Sequence, residues 1–78
     1  MGFELYTQVV LKRDLPEDGF KKSDVGTVIE RIATIDGEEG YALEIFNTVG
    51  DTLRVVVVPA SAIRAPSANE IWCARALA

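Results

Sequence analysis

A run of four valines at residues 55–58, ended by Pro59, constrains the fold of this chain more than any other feature. A helix would restrict the side-chain torsions of every one of these β-branched residues, whereas a strand accommodates them. Proline then ends the strand, because it has no backbone N–H to donate to a neighbouring strand. The run therefore predicts a strand over residues 52–58.

The rest of residues 3–65 alternates between short β-prone stretches and turn-forming residues. Further strands are predicted over residues 5–13, 25–33 and 41–47, with a helical turn at 59–62 and a short strand near Ile63 and Arg64. The Asp36-Gly37 pair predicts a tight hairpin. Gly26 predicts a bulge or a close approach of two strands. Residues 14–24 form a charged surface loop, from which Phe20 is expected to fold back onto the core.

Five short strands in this order favour an all-β fold, a small five-stranded SH3-like partly open barrel with a short C-terminal helix. An open three- or four-stranded meander capped by that helix is the alternative. The helix is predicted because Ser67 and Glu70 fit a capping box and good helix formers follow. The chain thus divides into a barrel at residues 1–66 and a helix or tail at residues 67–78. The predicted core consists of Val9, Leu11, Val28, Leu43, Ile45, Val56, Val58 and Ile63.

Composition excludes several classes of function. The 78 residues include no histidine and one cysteine, Cys73, so the commonest general base and metal ligand are missing and no internal disulfide forms. The acidic residues of the 14–24 loop lack the spacing of a calcium loop. We therefore predict no enzymatic activity, no cofactor and no metal. The net charge of −4 disfavours nucleic acid as a partner. Without an 18-residue apolar run or a signal peptide, no membrane contact is expected, and the predicted location is cytoplasmic.

A set of distinctive segments lies at residues 9–19, 21–30, 41–46 and 58–64, and includes Arg13-Asp14-Leu15-Pro16. Together these segments resemble one bacterial family of unknown activity, domain of unknown function 4926. The resemblance covers about residues 4–66 and none of residues 67–78. It implies an SH3-like barrel without assigned activity, in small bacterial proteins of which some have toxin-like neighbours. The chain departs from the family at Ser23, where the family has glycine, which predicts a backbone without positive φ at that residue.

The predicted partner-binding residues are Ile71, Trp72 and Leu77. A free helix of about ten residues cannot bury them in water, so they must pack on their own barrel or on another chain. Tryptophan is a favoured anchor of protein interfaces. The predicted function is therefore a non-enzymatic protein-interaction module, as a homo-oligomer or as a partner or antitoxin-like component of a bacterial complex. The alternatives are a KOW-like nucleic-acid-associated module, suggested by the segment at residues 24–27, and a subunit that completes an enzyme or toxin complex.

Overall fold

The computed structural model describes residues 2–77, so Met1 and Ala78, the two ends of the predicted barrel and tail, lie outside the described residues. Within this range the strands are β1 (Gln8–Leu11), β2 (Val25–Ile35), β3 (Glu38–Phe46), β4 (Thr52–Pro59) and β5 (Ile63–Arg64). A 3-10 turn, Ala60–Ala62, precedes β5. All pairings are antiparallel, and the strand order in the sheet is β4-β3-β2-β1-β5. The predicted all-β, five-stranded, partly open architecture is confirmed, including the turn before the last strand.

Two irregularities allow the long strand β2 to bend around the core. Its pairing with β3 shifts register between Val28 and Glu30, and again between Ile32 and Ile35. A bulge increases the local twist and bends the strand that carries it. The first shift lets Val28 point into the core although the next residue is also apolar. The bulge thus follows Val28, later in β2 than predicted, while Gly26 is regularly paired with Val9 of β1.

The Asp36-Gly37 hairpin is confirmed. Asp36 has a φ of 51° and Gly37 a φ of 81°, the two positive values that a type I′ turn requires. Because the turn has only two residues, Ile35 pairs directly with Glu38. β3 therefore begins at Glu38 instead of the predicted residue 41.

The first predicted strand is wrong at its N-terminal end. β1 begins at Gln8, because residues 5 and 6 form a turn in which Tyr6 has a φ of 64°. The hydroxyl of Thr7 donates to the carbonyl of Glu4 at 2.7 Å and holds this turn. Leu5, expected on the core face, is consequently exposed.

The apolar core matches the prediction, and all eight predicted residues are buried. Phe20 also folds back onto the core from its loop, as expected. Tyr41 is fully buried, donates from its hydroxyl to the Glu39 carboxylate at 2.6 Å and accepts the N–H of Phe3 at 2.9 Å. Every buried residue in the described range lies between Val9 and Ile63. The C-terminal tail therefore contributes no buried residue to the core.

The predicted C-terminal helix is wrong for residues 67–77, which have no helix and only a turn at residues 68–69. Half of the expected capping box forms, since the carboxylate of Glu70 accepts the N–H of Ser67 at 2.8 Å. The other half is missing, because the N–H of Glu70 donates to the backbone carbonyl of Ser67 at 3.1 Å and not to the Ser67 hydroxyl. Glu70 also binds Arg64 of β5, which fixes the segment to the sheet. No helix in residues 2–77 has the length and apolar character needed to cross a membrane.

Candidate functional site

The tail, residues 67–77, runs back across the barrel and leaves a groove of about 570 Å³ between them. Side chains of the loop before β2, the start of β2 and the β3–β4 hairpin form one wall. Residues of the tail from Trp72 to Leu77 form the other. Phe20, Gly26 and Ile45 contribute apolar surface to the groove. The tail segment from Trp72 to Leu77 therefore lies over an apolar surface of the barrel.

One ion pair holds the tail over this groove. The guanidinium of Arg75 donates to both carboxylate oxygens of Asp24, from Nε to Oδ1 at 2.7 Å and from Nη2 to Oδ2 at 2.6 Å. The Asp24 side chain is only 16% exposed and that of Arg75 30% exposed. The hydrogen bond from Arg75 lowers the pKa of Asp24 below its ordinary value, although burial acts in the opposite direction. This is a bidentate, charge-assisted contact of the strongest kind available to two surface side chains.

The barrel itself orients the Asp24 carboxylate. The backbone N–H of Lys21 donates to Asp24 Oδ2 at 2.8 Å, and the backbone N–H of Asp24 donates to the carbonyl of Lys21 at 2.9 Å. Both bonds lie within the loop before β2. The loop before β2 therefore holds the Asp24 carboxylate in the position where it accepts from Arg75, which lies 51 residues later in the sequence.

A second ion pair fixes the point at which the tail leaves the sheet. Arg64 donates from Nη1 and Nη2 to the two oxygens of Glu70, at 2.9 Å and 2.6 Å. The hydrogen bond from Arg64 lowers the pKa of Glu70 to about 2. The tail is thus attached at Glu70 and at Arg75, and the chain between these residues has neither helix nor strand.

The three predicted binding residues are exposed on this attached segment. Ile71 is 87% exposed, Leu77 59% and Trp72 55%. Trp72 and Leu77 border the groove, whereas Ile71 is not part of its lining. The alternative in which Ile71 and Leu77 plug an open end of the barrel is therefore wrong, because both side chains are mostly exposed. Their contact with a partner stays a prediction.

Sequence reasoning missed the residues that attach the tail, Asp24 and Arg75. A signal was present, since Arg75 is the only charged residue in residues 71–77. A lone arginine within an apolar segment points to a specific acceptor, because an unpaired charge would oppose packing of the segment. The sequence alone does not identify which of the eleven acidic residues in the barrel is that acceptor.

Two other acidic residues of the loop, Asp14 and Asp18, make contacts within the barrel. The carboxylate of Asp14 accepts the N–H of Lys22 at 2.8 Å, and Asp18 pairs with Arg54 at 3.0 Å. Within residues 2–77 no group of three or more histidine, cysteine, aspartate or glutamate side chains could hold a metal ion. The thiol of Cys73 is exposed and free. These residues offer neither a cluster of metal ligands nor an activated nucleophile.

We predict that acid releases the tail. The Asp24 carboxylate has a lowered pKa while Arg75 is bound, so its contribution to docking is complete above the ordinary pKa and disappears as the pH falls through the lowered one. The Glu70 contact follows the same rule, with a pKa of about 2. Emission from Trp72, the only tryptophan, should stay constant down to about pH 4 and then shift to the red.

The matched variants Arg75→Gln and Arg54→Gln check this assignment. Arg75→Gln removes the bond to Asp24 and should show the red-shifted emission already at neutral pH. Arg54→Gln removes the barrel ion pair with Asp18 and should leave the emission unchanged. Equal emission from Arg75→Gln and the unmodified chain would show that this ion pair does not hold Trp72.

Comparison with known proteins gives one match. A family model with the description "Domain of unknown function (DUF4926)" matches residues 5–65. This range includes all five strands and Asp24, and ends before Arg75 and the rest of the tail. No curated protein and no solved structure matches the chain.

Proposed function

This chain belongs to the family described as DUF4926, and we propose that it is a non-enzymatic protein-interaction module that binds through Ile71, Trp72 and Leu77 of its tail. The proposed setting is the bacterial cytoplasm. There the chain would associate with itself or with a protein partner, as a component of an antitoxin-like complex.

The observation that carries this proposal is the exposure of apolar side chains on a segment that is held in place. Ion pairs at Glu70 and Arg75 attach the tail at two points, while Ile71, Trp72 and Leu77 remain more than half exposed. A segment that is ordered before binding loses less conformational entropy when a partner arrives. Tryptophan adds a large apolar area with few rotatable bonds, which is why it is frequent among interface anchors.

The chemistry of the chain supports a role without catalysis. The sequence has no histidine to activate a hydroxyl or thiol. Tyr41, a fully buried titratable residue, has a pKa raised chiefly by burial, and its hydroxyl is hydrogen-bonded to the exposed Glu39 carboxylate and to the N–H of Phe3. Its contacts give it a structural role.

Deletion of residues 67–78 tests the proposal. Since the buried residues end at Ile63, the shortened chain should stay folded and melt within about 5 °C of the full chain. At about 1 mM, where the full chain should associate, the mass measured by light scattering should fall on deletion to that of one chain, 8.5 kDa less the tail. The single variant Trp72→Ala should weaken association in the same direction.

Val57→Thr provides the matched control, because Val57 is 54% exposed on the edge strand β4 and lies outside the tail. It should leave the mass unchanged. If deletion of the tail changes neither mass nor melting temperature, the proposed function is wrong. A gel shift of structured RNA that weakens steeply with salt would favour the KOW-like alternative instead.

A further inference from the structure

We propose that the groove is a receptor for an extended segment with a central arginine, and that two copies of this chain occupy each other's grooves by exchanging tails. The inference rests on the proposed function, because it names the partner that the tail contacts. Its starting point is the Arg75–Asp24 pair, in which a tail residue fits an acceptor that belongs entirely to the barrel.

The acceptor does not depend on which chain supplies the arginine. Asp24 is held by Lys21 within the loop before β2, and the apolar surface beside it belongs to Phe20 and Ile45. If the tail moved away, the Asp24 carboxylate would lose its cation but keep the hydrogen bond that Lys21 donates to it. A bidentate contact between a guanidinium and a carboxylate is favourable whichever chain supplies the arginine, so the groove can accept Arg75 of a second copy.

The tail is held on its own barrel by side chains alone. Among residues 2–77, the backbone hydrogen bonds that involve the tail consist of one within the tail, from the N–H of Glu70 to the carbonyl of Ser67. Residues 71–77 add no strand to the sheet and bury none of their apolar side chains. Release of the whole tail therefore requires the loss of two bidentate ion pairs, at Glu70 and at Arg75, and no change in the pairing of the strands.

The connection between barrel and tail allows the tail to reach a second copy. Residues 65–69 lie outside the sheet, and five extended residues span about 17 Å. Because each copy carries one groove and one tail, exchange is reciprocal and produces a closed dimer with twofold symmetry. Two tails that cross between the barrels could also cover Trp72 and Leu77, which are exposed in the single chain.

Exchange competes with docking of the tail on its own barrel. A short connection gives the tail an effective concentration of about 1 mM at its own groove. The unmodified chain should therefore be a single chain at micromolar concentration and form dimers as its concentration approaches about 1 mM. Concentration dependence of this kind is the expected signature of exchange.

A pair of charge-reversal variants isolates exchange from docking within one chain. Asp24→Arg places two arginines at the contact in its own chain, and Arg75→Asp places two aspartates there. Neither variant can make the ion pair alone, and each should remain a single chain at about 1 mM. When the two are mixed in equal amounts, both reciprocal contacts between the variants join an arginine to an aspartate. Light scattering should then give twice the 8.5 kDa mass of one chain.

The double variant, with Asp24→Arg and Arg75→Asp in one chain, is the control and should behave like the unmodified chain. A mixture that stays at the mass of one chain, with both variants folded by circular dichroism, overturns the exchange. If Asp24→Arg does not fold, the mixing experiment is replaced by a comparison of Arg75→Ala with the unmodified chain. The unmodified chain must then dimerise near 1 mM and Arg75→Ala must not. An unmodified chain that remains single throughout would overturn the proposal.

The two proposals fail separately. A monomeric mixture, together with a mass that still falls on deletion of residues 67–78, refutes exchange and leaves the tail as a binding segment with a different contact. A mass that deletion does not change refutes the proposed function and the exchange that rests on it.

Discussion

Replacement of Ile45 by alanine is expected to reduce the free energy of unfolding by about 2–5 kcal/mol. Ile45 is 4% exposed in β3 and belongs to the single cluster of buried residues. Its side chain also lies against Gly26 of β2, so truncation opens a cavity between two strands. A domain of 78 residues has a total stability of the order of 5 kcal/mol, so the variant should be unfolded in part at room temperature.

Urea unfolding at 25 °C measures this effect, with Val57→Ala as the control. Val57 is 54% exposed in β4, the strand that pairs with β3, and its truncation should cost less than about 1 kcal/mol. Similar unfolding midpoints for the two variants would mean that Ile45 does not belong to the core.

The core could be predicted because each strand has one face that must be buried. In β4 the four valines alternate, with Val56 and Val58 buried and Val55 and Val57 half exposed. The same period places Leu43 and Ile45 of β3 in the core. Alternation fails in β2 after Val28, where the register shift adds a residue to one strand. A break in the alternation indicates that a bulge is present. It does not fix the position of the bulge, since the partner strand decides the register.

The tail could not be predicted from its own residues, because distant side chains decide its conformation. Ser67 and Glu70 have the spacing of a helix start, but Arg64 binds the Glu70 carboxylate. Arg75 is a good helix former by propensity, yet it binds Asp24 at a separation of 51 residues. The first contact spans six residues and the second 51, and a helix pattern within the tail indicates neither partner. The lone arginine of residues 71–77 indicates that an acceptor exists, but the sequence does not identify it as Asp24.

At Ser23 the side chain is a misleading guide to the backbone. The resemblance to the family implies glycine at this position, and serine there predicts an ordinary φ. The structure has a φ of 80° at Ser23, so the backbone there is left-handed in spite of the side chain. The N–H of Ser23 donates to the carbonyl of Leu11 at 2.9 Å, and this bond to the end of β1 holds the conformation. The chain thus has strain at Ser23 that a glycine would relieve.

Gly26→Val is expected to destabilise the barrel by about 1–3 kcal/mol or more, because the position has no room for a side chain. A Cβ atom at Gly26 would lie 2.9 Å from Cδ1 of Ile45 and 3.2 Å from Cβ of Leu43. Leu43 is fully buried, and its Cβ cannot move unless the backbone of β3 moves. Valine adds two methyl groups beyond the Cβ, so β2 and β3 would have to separate at the centre of the sheet.

Ser23→Gly is the matched control, three residues earlier in the same part of the chain. With a φ of 80° at this position, glycine removes the strain of a left-handed serine, and its greater freedom in the unfolded chain offsets part of the gain. The variant should have the stability of the unmodified chain or exceed it by up to about 1 kcal/mol. Thermal and urea unfolding of the two variants should thus give shifts of opposite sign or of very different size. Equal losses would show that β2 does not approach β3 at Gly26. The groove beside Gly26 would then lack the wall on which docking of the tail depends.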